Sequence, residues 1–187
     1  TVGKAGQLRH RIEHVQLLQE SDIKRVGNEQ IIASVQPLHI LGDIDLVHQH
    51  WGRRGRYAYA FRRLKDGGAM LAFGSDCPVE SMAPVLGIHA AVNRLRPGSC
   101  PEEAFYPEER LTVEEAVQAY TYGPAYAANQ EHVAGTLELG KLGDMVVLDQ
   151  DLFTIDPLDI YKTEILLTVV AGKVVYNGDK DSKKIKN

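Results

Sequence analysis

The chain has 187 residues, of which 44% are hydrophobic and 25% charged, with a formal net charge of −4 at pH 7. This composition is typical of a globular protein with enough apolar residues for the core of one domain or a little more. The slightly acidic balance argues against a protein that binds nucleic acid or an anionic membrane, and no apolar run approaches the roughly 20 residues that span a bilayer.

Three short segments in the first half of the chain, two of them apolar runs, predict buried strands. They cover Leu8–Val15, Ile31–Val35 and Ala69–Phe73, and a polar residue closes each of them. Loop and helix segments separate the runs, which is the pattern of repeated β-α units. We therefore predict an α/β fold with a parallel sheet.

The connections between these strands contain two predicted helices and one long loop. Ser21 is placed to cap a first helix that ends near Gly27. The polar and aromatic stretch from Gly42 to Tyr59 is interpreted as a loop, and a second helix is expected over Tyr57–Leu64. These assignments depend on local polarity and on Gly and Ser positions alone.

The second half of the chain shows helix signals followed by strand signals. A helix is predicted over Pro84–Leu95, with Pro84 early in the helix, where its missing N–H is tolerated. Thr112 and Glu115 have the spacing of a capping box at the start of another helix. Met145–Asp149 is expected to form a strand, and Thr168–Tyr176 a hairpin.

Three residues with metal-binding or acid-base side chains lie at, or just past, the ends of the three predicted strands. They are His14, His39 and Asp76. In a β/α barrel the carboxyl ends of the strands form the face on which active sites are built. Imidazole and carboxylate groups suit zinc and similar ions, and a carboxylate beside a metal can take a proton from water. This placement predicts a hydrolytic site.

The other reactive residues give weaker signals. Cys77 and Cys100 form no CxxC pair and no disulfide framework, so a reducing, cytoplasmic setting is expected. Cys77 follows Asp76, but no base is identifiable that would make it a nucleophile. His48 and His50 have an H-x-H spacing, for which metal binding, substrate contact and a plain surface position all stay open.

Several motifs in one order resemble the amidohydrolase superfamily, specifically its amidohydrolase family 3 branch. They are Arg-Ile-Glu-His at 11–14, Gln-Pro-Leu-His at 36–39, Gly-Ser-Asp-Cys-Pro-Val-Glu at 74–80, a return strand over 135–149 and a closing hairpin over 168–176. Gly143 stands where the family usually has Ala. The resemblance covers residues 9–178 and is specific because so many motifs occur in the same order.

This resemblance implies the C-terminal part of a (β/α)8 metallo-hydrolase barrel, strands six to eight, together with strands of a small β-sandwich domain. It places the partial catalytic barrel in residues 1–134, the sandwich strands in 135–178 and a flexible tail in 179–187. The chain is accordingly expected to be one portion of a longer protein. The edge of the sheet beside the first strand should then be open to another chain.

The resemblance also assigns roles to five residues. Asp76 becomes the metal-linked aspartate that activates water, and His14 a metal ligand or a donor to the transition state. His39, Gln36 and Cys77 become substrate-binding residues. A shifted alignment that makes both His14 and His39 metal ligands stays open.

The implied activity is hydrolysis of a C–N bond, of amide, N-formyl or N-acyl type, by metal-activated water. The expected cofactor is one or two divalent ions, most simply zinc, and the expected partner is a small-molecule substrate. The family's remaining ligands have no counterpart here, so we expect weak metal binding and no turnover by this chain alone. Association with the missing N-terminal part, or a homo-oligomer, is expected. A non-catalytic interaction module and a metal-dependent deaminase or isomerase are the alternatives.

Overall fold

A computed structural model describes residues 8–178, and the predicted tail 179–187 lies outside this part. In chain order the helices and strands are β1 (Arg11–Glu13), α1 (Glu20–Asn28), β2 (Ile32–Val35), α2 (His39–His50), α3 (Phe61–Asp66), β3 (Leu71–Phe73), α4 (Pro84–Asn93), α5 (Val113–Tyr120), α6 (Tyr122–Ala127), β4 (Met145–Leu148), β5 (Ile165–Val170) and β6 (Lys173–Asn177). None of the helices within 8–178 has the length and apolar character needed to cross a membrane.

The first three strands form one parallel sheet in the order β1-β2-β3. This confirms the parallel sheet predicted from the β-α pattern. β2 is the central strand and is largely buried, whereas all three residues of β1 are exposed. The expectation that β1 is buried was therefore wrong, because β1 is an edge strand and no described segment pairs with its outer edge. Ile12 is consequently 41% exposed.

Helices cover the sheet and build the core. α1 packs on β2 and on α3, while α5 and α6 pack on β3. The contact between α6 and β3 is close: a Cβ atom at Gly123 would lie 2.1 Å from the carbonyl oxygen of Leu71. Only glycine allows this approach, so Gly123 fixes the position of α6 on the strand that leads to Asp76.

The stretch predicted as a loop from Gly42 to Tyr59 is mostly helical, and that prediction was wrong. α2 occupies its first half, and a 3-10 helix covers Gly52–Tyr57. Ile40, Ile44 and Val47 are buried and lie at helical spacing, so they form one apolar stripe against the core. Acidic and histidine residues between them hide this stripe in the sequence.

The boundaries of two predicted helices also needed correction. α1 begins after Gln19, Ser21 lies inside the helix, and no side chain caps it. The helix ends at Asn28, next to Gly27, as expected. Gly27 is required for a further reason, since a Cβ there would meet the Gly67 carbonyl oxygen at 1.9 Å. The helix predicted from Tyr57 starts only at Phe61, because the 3-10 helix precedes it.

The capping box at α5 is present as predicted. The Thr112 hydroxyl accepts from the backbone N–H of Glu115 at 3.2 Å, and the Glu115 carboxylate accepts from the backbone N–H of Thr112 at 2.9 Å. Glu115 also pairs with Arg62 of α3. The cap therefore fixes the start of α5 and links it to a neighbouring helix.

Replacing Thr112 with alanine should lower the free energy of unfolding by about 1 kcal/mol, because one N–H of the first turn loses its acceptor. Chemical denaturation monitored by circular dichroism measures this change. The matched control is Thr154→Ala, since the Thr154 hydroxyl bonds a turn carbonyl outside any helix. An equal loss in both variants would show that the cap has no specific role.

The last three strands form a separate antiparallel sheet in the order β4-β5-β6. The predicted strand and hairpin are confirmed, and the hairpin turns at Ala171 and Gly172. Apolar side chains are exposed on this sheet, namely those of Met145, Val146, Val147, Val170, Val174 and Val175. The assignment of residues 135–178 to a distinct domain stays a prediction.

A polar contact ties the segment before β1 to α6. Arg9 lies over the Tyr126 ring, 3.7 Å from its centroid, and pairs with Glu131 at 2.5 Å. The hydrogen bond from Arg9 lowers the pKa of Glu131 to about 2. This contact links the residues just before β1 to the end of α6 and the residues that follow it.

Candidate active site

The structure brings together the three residues predicted at the strand ends. His14 follows β1, His39 begins α2 after β2, and Asp76 lies three residues beyond β3. The imidazole rings of His14 and His39 are stacked, with centroids 5.9 Å apart and planes 21° apart. His39 Nε2 lies 3.9 Å from Asp76 Oδ2. The parallel sheet explains this convergence, because all three strands point their carboxyl ends the same way.

His14 is oriented by Gln36. Its Nδ1 lies 2.9 Å from Gln36 Oε1, and the oxygen can only accept, so Nδ1 carries the hydrogen. This contact leaves the other ring nitrogen, Nε2, as the atom of His14 that could bind a metal ion. Metal-binding histidines are commonly held in this way, with one nitrogen donating to an oxygen and the other free. Gln36 is itself buried, which makes it a rigid support.

His39 has a buried nitrogen that lacks a partner. Its side chain is 11% exposed, and Nε2 has no hydrogen-bond partner within the described part of the chain. The 3.9 Å separation from Asp76 Oδ2 is too long for a hydrogen bond. Leaving such an atom unpaired costs about 1–3 kcal/mol. His39 is therefore positioned to bond a group that enters between it and Asp76.

Asp76 lies in a turn and is accessible. Its side chain is 40% exposed, and its carbonyl oxygen accepts from Val79 N at 2.8 Å. Asp76, His14 and Val15 have φ angles of 57°, 68° and 45°, in the left-handed region that non-glycine residues seldom adopt. Such conformations are often found at functional sites. Here they turn two of the strand-end side chains out of their strands.

Cys77 adjoins Asp76 on the outer side of the site. It is a free, exposed cysteine, and its backbone N–H donates to the Ser75 hydroxyl at 3.3 Å. Cys100 is also free and exposed. The predicted substrate contacts of Cys77, His39 and Gln36 stay predictions.

The site fits one side of a metal centre. His14 Nε2 and the Asp76 carboxylate are nitrogen and oxygen donors of the kinds that zinc prefers. Between residues 8 and 178, however, no three His, Cys, Asp or Glu side chains are arranged to hold a metal ion. A zinc site needs at least three protein ligands. The described residues thus supply part of a ligand set.

Sequence reasoning missed a polar network beside the site. Tyr59 OH donates to Asp43 Oδ2 at 2.5 Å, and Gln16 Nε2 donates to the same oxygen at 3.2 Å. Asp43 was hidden because its segment was interpreted as a loop. Recognising the apolar stripe of α2 would have placed Asp43 one turn after His39 on the same helix face.

The two histidines of the H-x-H pair have different surroundings. The His48 ring packs edge-on against Phe105, with centroids 5.5 Å apart, and stacks on Tyr106 at 6.4 Å. His48 therefore serves packing between α2 and the segment before α5. His50 is exposed at the end of α2.

The sequence profile of the amidohydrolase family matches residues 1–176. The chain belongs to the amidohydrolase family. Protein LONG AFTER FAR-RED 3 of Arabidopsis thaliana is 39% identical over 90% of the chain and 29% of its own length. The putative amidohydrolase YtcJ of Bacillus subtilis is 35% identical over 89% and 32%. The N-substituted formamide deformylase of Arthrobacter pascens is 26% identical over 89% and 30%.

The chain is also similar to a solved structure. An uncharacterized metal-dependent hydrolase from Pyrococcus horikoshii matches with a TM-score of 0.69 and 32% identity, over 80% of the chain and 30% of its own chain. The chain spans about a third of the length of the curated relatives named above. The recognition of the amidohydrolase family 3 branch from sequence motifs is thereby confirmed.

Proposed function

We propose that the chain forms the C-terminal third of a metal-dependent hydrolase that cleaves a C–N bond of amide, N-formyl or N-acyl type. The convergence of His14, His39 and Asp76 at the carboxyl edge of the parallel sheet carries this proposal. Similarity to a metal-dependent hydrolase and to a formamide deformylase supports the reaction type. Under the proposal the three strands are the sixth, seventh and eighth of a barrel.

His14 and Asp76 would hold a divalent ion, with zinc as the first choice because of the nitrogen and oxygen donors. When bound, such an ion supplies Lewis acidity and lowers the pKa of a water to about 7. Asp76 accepts a proton from the attacking water, for which its exposed carboxylate is suited. The same carboxylate then returns a proton to the leaving nitrogen, which separates as an amine.

His39 binds the substrate in this scheme. Its unpaired Nε2 faces Asp76, so it meets the carbonyl group that the water attacks. A hydrogen bond from a buried imidazole stabilises the negative charge that develops on that oxygen. Gln36 holds the ring of His14, and we keep a contact with the substrate as its second role. Cys77 lies at the rim, where substrate contact is the role we propose.

The open edge of β1 supports a further part of the proposal, an association with the N-terminal part of the hydrolase. β1 is exposed along its length, and parallel edges pair with other strands. In a homo-oligomer, a second copy of the chain would cover the same edge instead. We place the enzyme in the cytoplasm, with residues 1–134 in the catalytic barrel and 135–178 in a small β domain.

A second candidate function is a non-catalytic interaction module. The partial ligand set of the described residues, which contains no three-ligand metal cluster, fits this function as well as it fits a hydrolase completed by other residues. The two functions differ in what a complete protein would do, because only the enzyme gains activity when the remaining ligands are supplied.

Metal removal separates these functions. The complete hydrolase that contains this chain should cleave at least one member of a panel of N-formyl and N-acyl amines. Dialysis against a chelator should reduce that activity at least about 100-fold, and added zinc should restore it, because the nucleophile depends on the metal. The 187-residue chain alone should be inactive and hold less than one equivalent of zinc. Activity that survives chelation, or stoichiometric zinc in the chain alone, would contradict the proposal.

A further inference from the structure

Three side chains from three segments form a closed hydrogen-bonded network next to the site. Tyr59 OH donates to Asp43 Oδ2 at 2.5 Å. Gln16 Nε2 donates to Asp43 Oδ2 at 3.2 Å and to the Tyr59 hydroxyl oxygen at 3.1 Å. Burial and the Asp43 carboxylate both raise the pKa of Tyr59, so the hydroxyl keeps its proton and remains a donor at neutral pH.

The backbone joins two of the same segments a second time. Tyr59 N donates to the carbonyl oxygen of Gln16 at 2.9 Å, and Leu17 forms an antiparallel bridge with Ala58. The segment that follows β1 is thus fastened to residues 58–59 through both main chain and side chain. Such double attachment leaves little freedom to the residues just before it.

The network spans the two elements that carry the histidines. Gln16 lies two residues after His14. Asp43 lies four residues after His39 on α2, a spacing that puts both side chains on one face of the helix. The distance between the two stacked rings is therefore set by the link from Gln16 to Asp43 as well as by the sheet.

A buried cation holds the third member in place. Arg94 is fully buried and donates to the carbonyl oxygens of Tyr59 at 2.9 Å, Ala58 at 3.4 Å and Phe105 at 2.6 Å. Tyr59 is itself almost fully buried, with a φ of 50°. Tyr59 is consequently held in place by main-chain contacts, and its hydroxyl gives Asp43 and Gln16 a fixed partner.

We infer that Tyr59 and Asp43 are positioning residues, which fix the separation and the ring orientation of His14 and His39. They act through Gln16 and through the first turn of α2. The effect on catalysis rests on the proposed function, whereas the effect on the two rings does not.

The rings can be observed directly in the 187-residue chain by NMR of histidine side chains. Tyr59→Phe, which removes only the hydroxyl, should shift or broaden the ring signals of His14 and His39 and weaken the contact between them. Tyr57→Phe is a matched control, because the Tyr57 hydroxyl also donates to a carboxylate, that of Glu20, at 2.5 Å. The control should leave both histidines unchanged. Unchanged His14 and His39 signals in folded Tyr59→Phe would overturn the inference, whatever the activity of the enzyme.

Two substitutions of Asp43 add a rescue test. Asp43→Asn keeps an acceptor for the Tyr59 hydroxyl and should leave the histidine signals close to those of the wild type. Asp43→Ala removes every acceptor and should reproduce the changes of Tyr59→Phe. Equal changes in both Asp43 variants would contradict a positioning role that acts through this hydrogen bond.

The kinetic consequence is measured in the complete, metal-loaded hydrolase. Tyr59→Phe should lower kcat about ten- to a hundredfold, because small displacements of catalytic groups have effects of this size. Tyr57→Phe should stay within twofold of the wild type. Altered histidine signals with an unchanged kcat would refute the proposed role of the histidines and leave the positioning inference intact. No activity in any variant, wild type included, would refute the proposed function alone.

Discussion

Replacing Asp76 with asparagine should lower kcat of the complete, metal-loaded hydrolase by about 10²–10⁴-fold, the range associated with loss of a general acid-base group. Asparagine has nearly the same shape as aspartate but accepts no proton at neutral pH. The substitution should leave the fold intact, because the Asp76 side chain is 40% exposed and its carboxylate lies 3.9 Å from His39 Nε2, too far for a hydrogen bond. Steady-state kinetics at saturating substrate measures the effect.

Asp45→Asn is the control for this substitution. Asp45 lies on α2 and pairs with Arg96 at 2.9 Å on the surface, with a largely exposed side chain. Its replacement should leave kcat within twofold of the wild type. If the Asp76 variant keeps more than a tenth of the activity, Asp76 does not transfer the proton.

Replacing Arg94 with methionine should lower the free energy of unfolding by about 3–5 kcal/mol. Methionine fills a similar volume but leaves the carbonyl oxygens of Tyr59, Ala58 and Phe105 buried without their donor. It also removes a charge that stabilises the buried carboxylate of Glu109. Urea denaturation gives the free energy, and the melting temperature should fall by about 10 °C.

Arg25→Met tests whether any arginine would have this effect. Arg25 is exposed on α1 and pairs with Asp22 at 3.0 Å and Glu29 at 3.2 Å. Exposed pairs of this kind contribute about 0–1 kcal/mol. Burial lowers the pKa of Arg94 to about 10, so Arg94 is still charged at pH 7, as Arg25 is. The two arginines therefore differ in burial and not in charge. A loss below 1 kcal/mol for Arg94→Met would contradict the structural role given to this residue.

Sequence patterns predicted the parts of the fold that depend on local chemistry. The capping box at Thr112, the early proline of α4 and the hairpin near Ala171 each have a signal within a few residues. The meeting of His14, His39 and Asp76 was also predictable, because parallel strands direct successive strand ends to one edge. These expectations needed no knowledge of long-range packing.

The features that were missed depend on contacts between distant segments. α2 was taken for a loop because its three buried residues alternate with acidic and histidine residues. Gly27 was taken only for a helix end, and its close contact with the Gly67 turn 40 residues later was not foreseen. The partnership of Asp43 with Tyr59 likewise requires the packing of α2 against the segment before α3. Local polarity carries no information about such pairings.

Family motifs and geometry contribute different things to the site. The motifs placed the chain in the amidohydrolase family, which the profile match over residues 1–176 confirms. The geometry adds that Gln36 holds His14 and that a nitrogen of His39 is buried without a partner. The metal-binding and proton-transfer roles of His14 and Asp76 stay predictions, which rest on the family motifs and the geometry together.

A crystal structure of the complete hydrolase with zinc bound, measured at the zinc absorption edge, tests the central claim most directly. We predict an anomalous peak at the carboxyl edge of the parallel sheet, with both His14 Nε2 and an Asp76 carboxylate oxygen about 2.0–2.2 Å from the ion. Upstream residues should complete the ligand set. A zinc ion whose coordination sphere lacks His14 or Asp76 would contradict the proposed site.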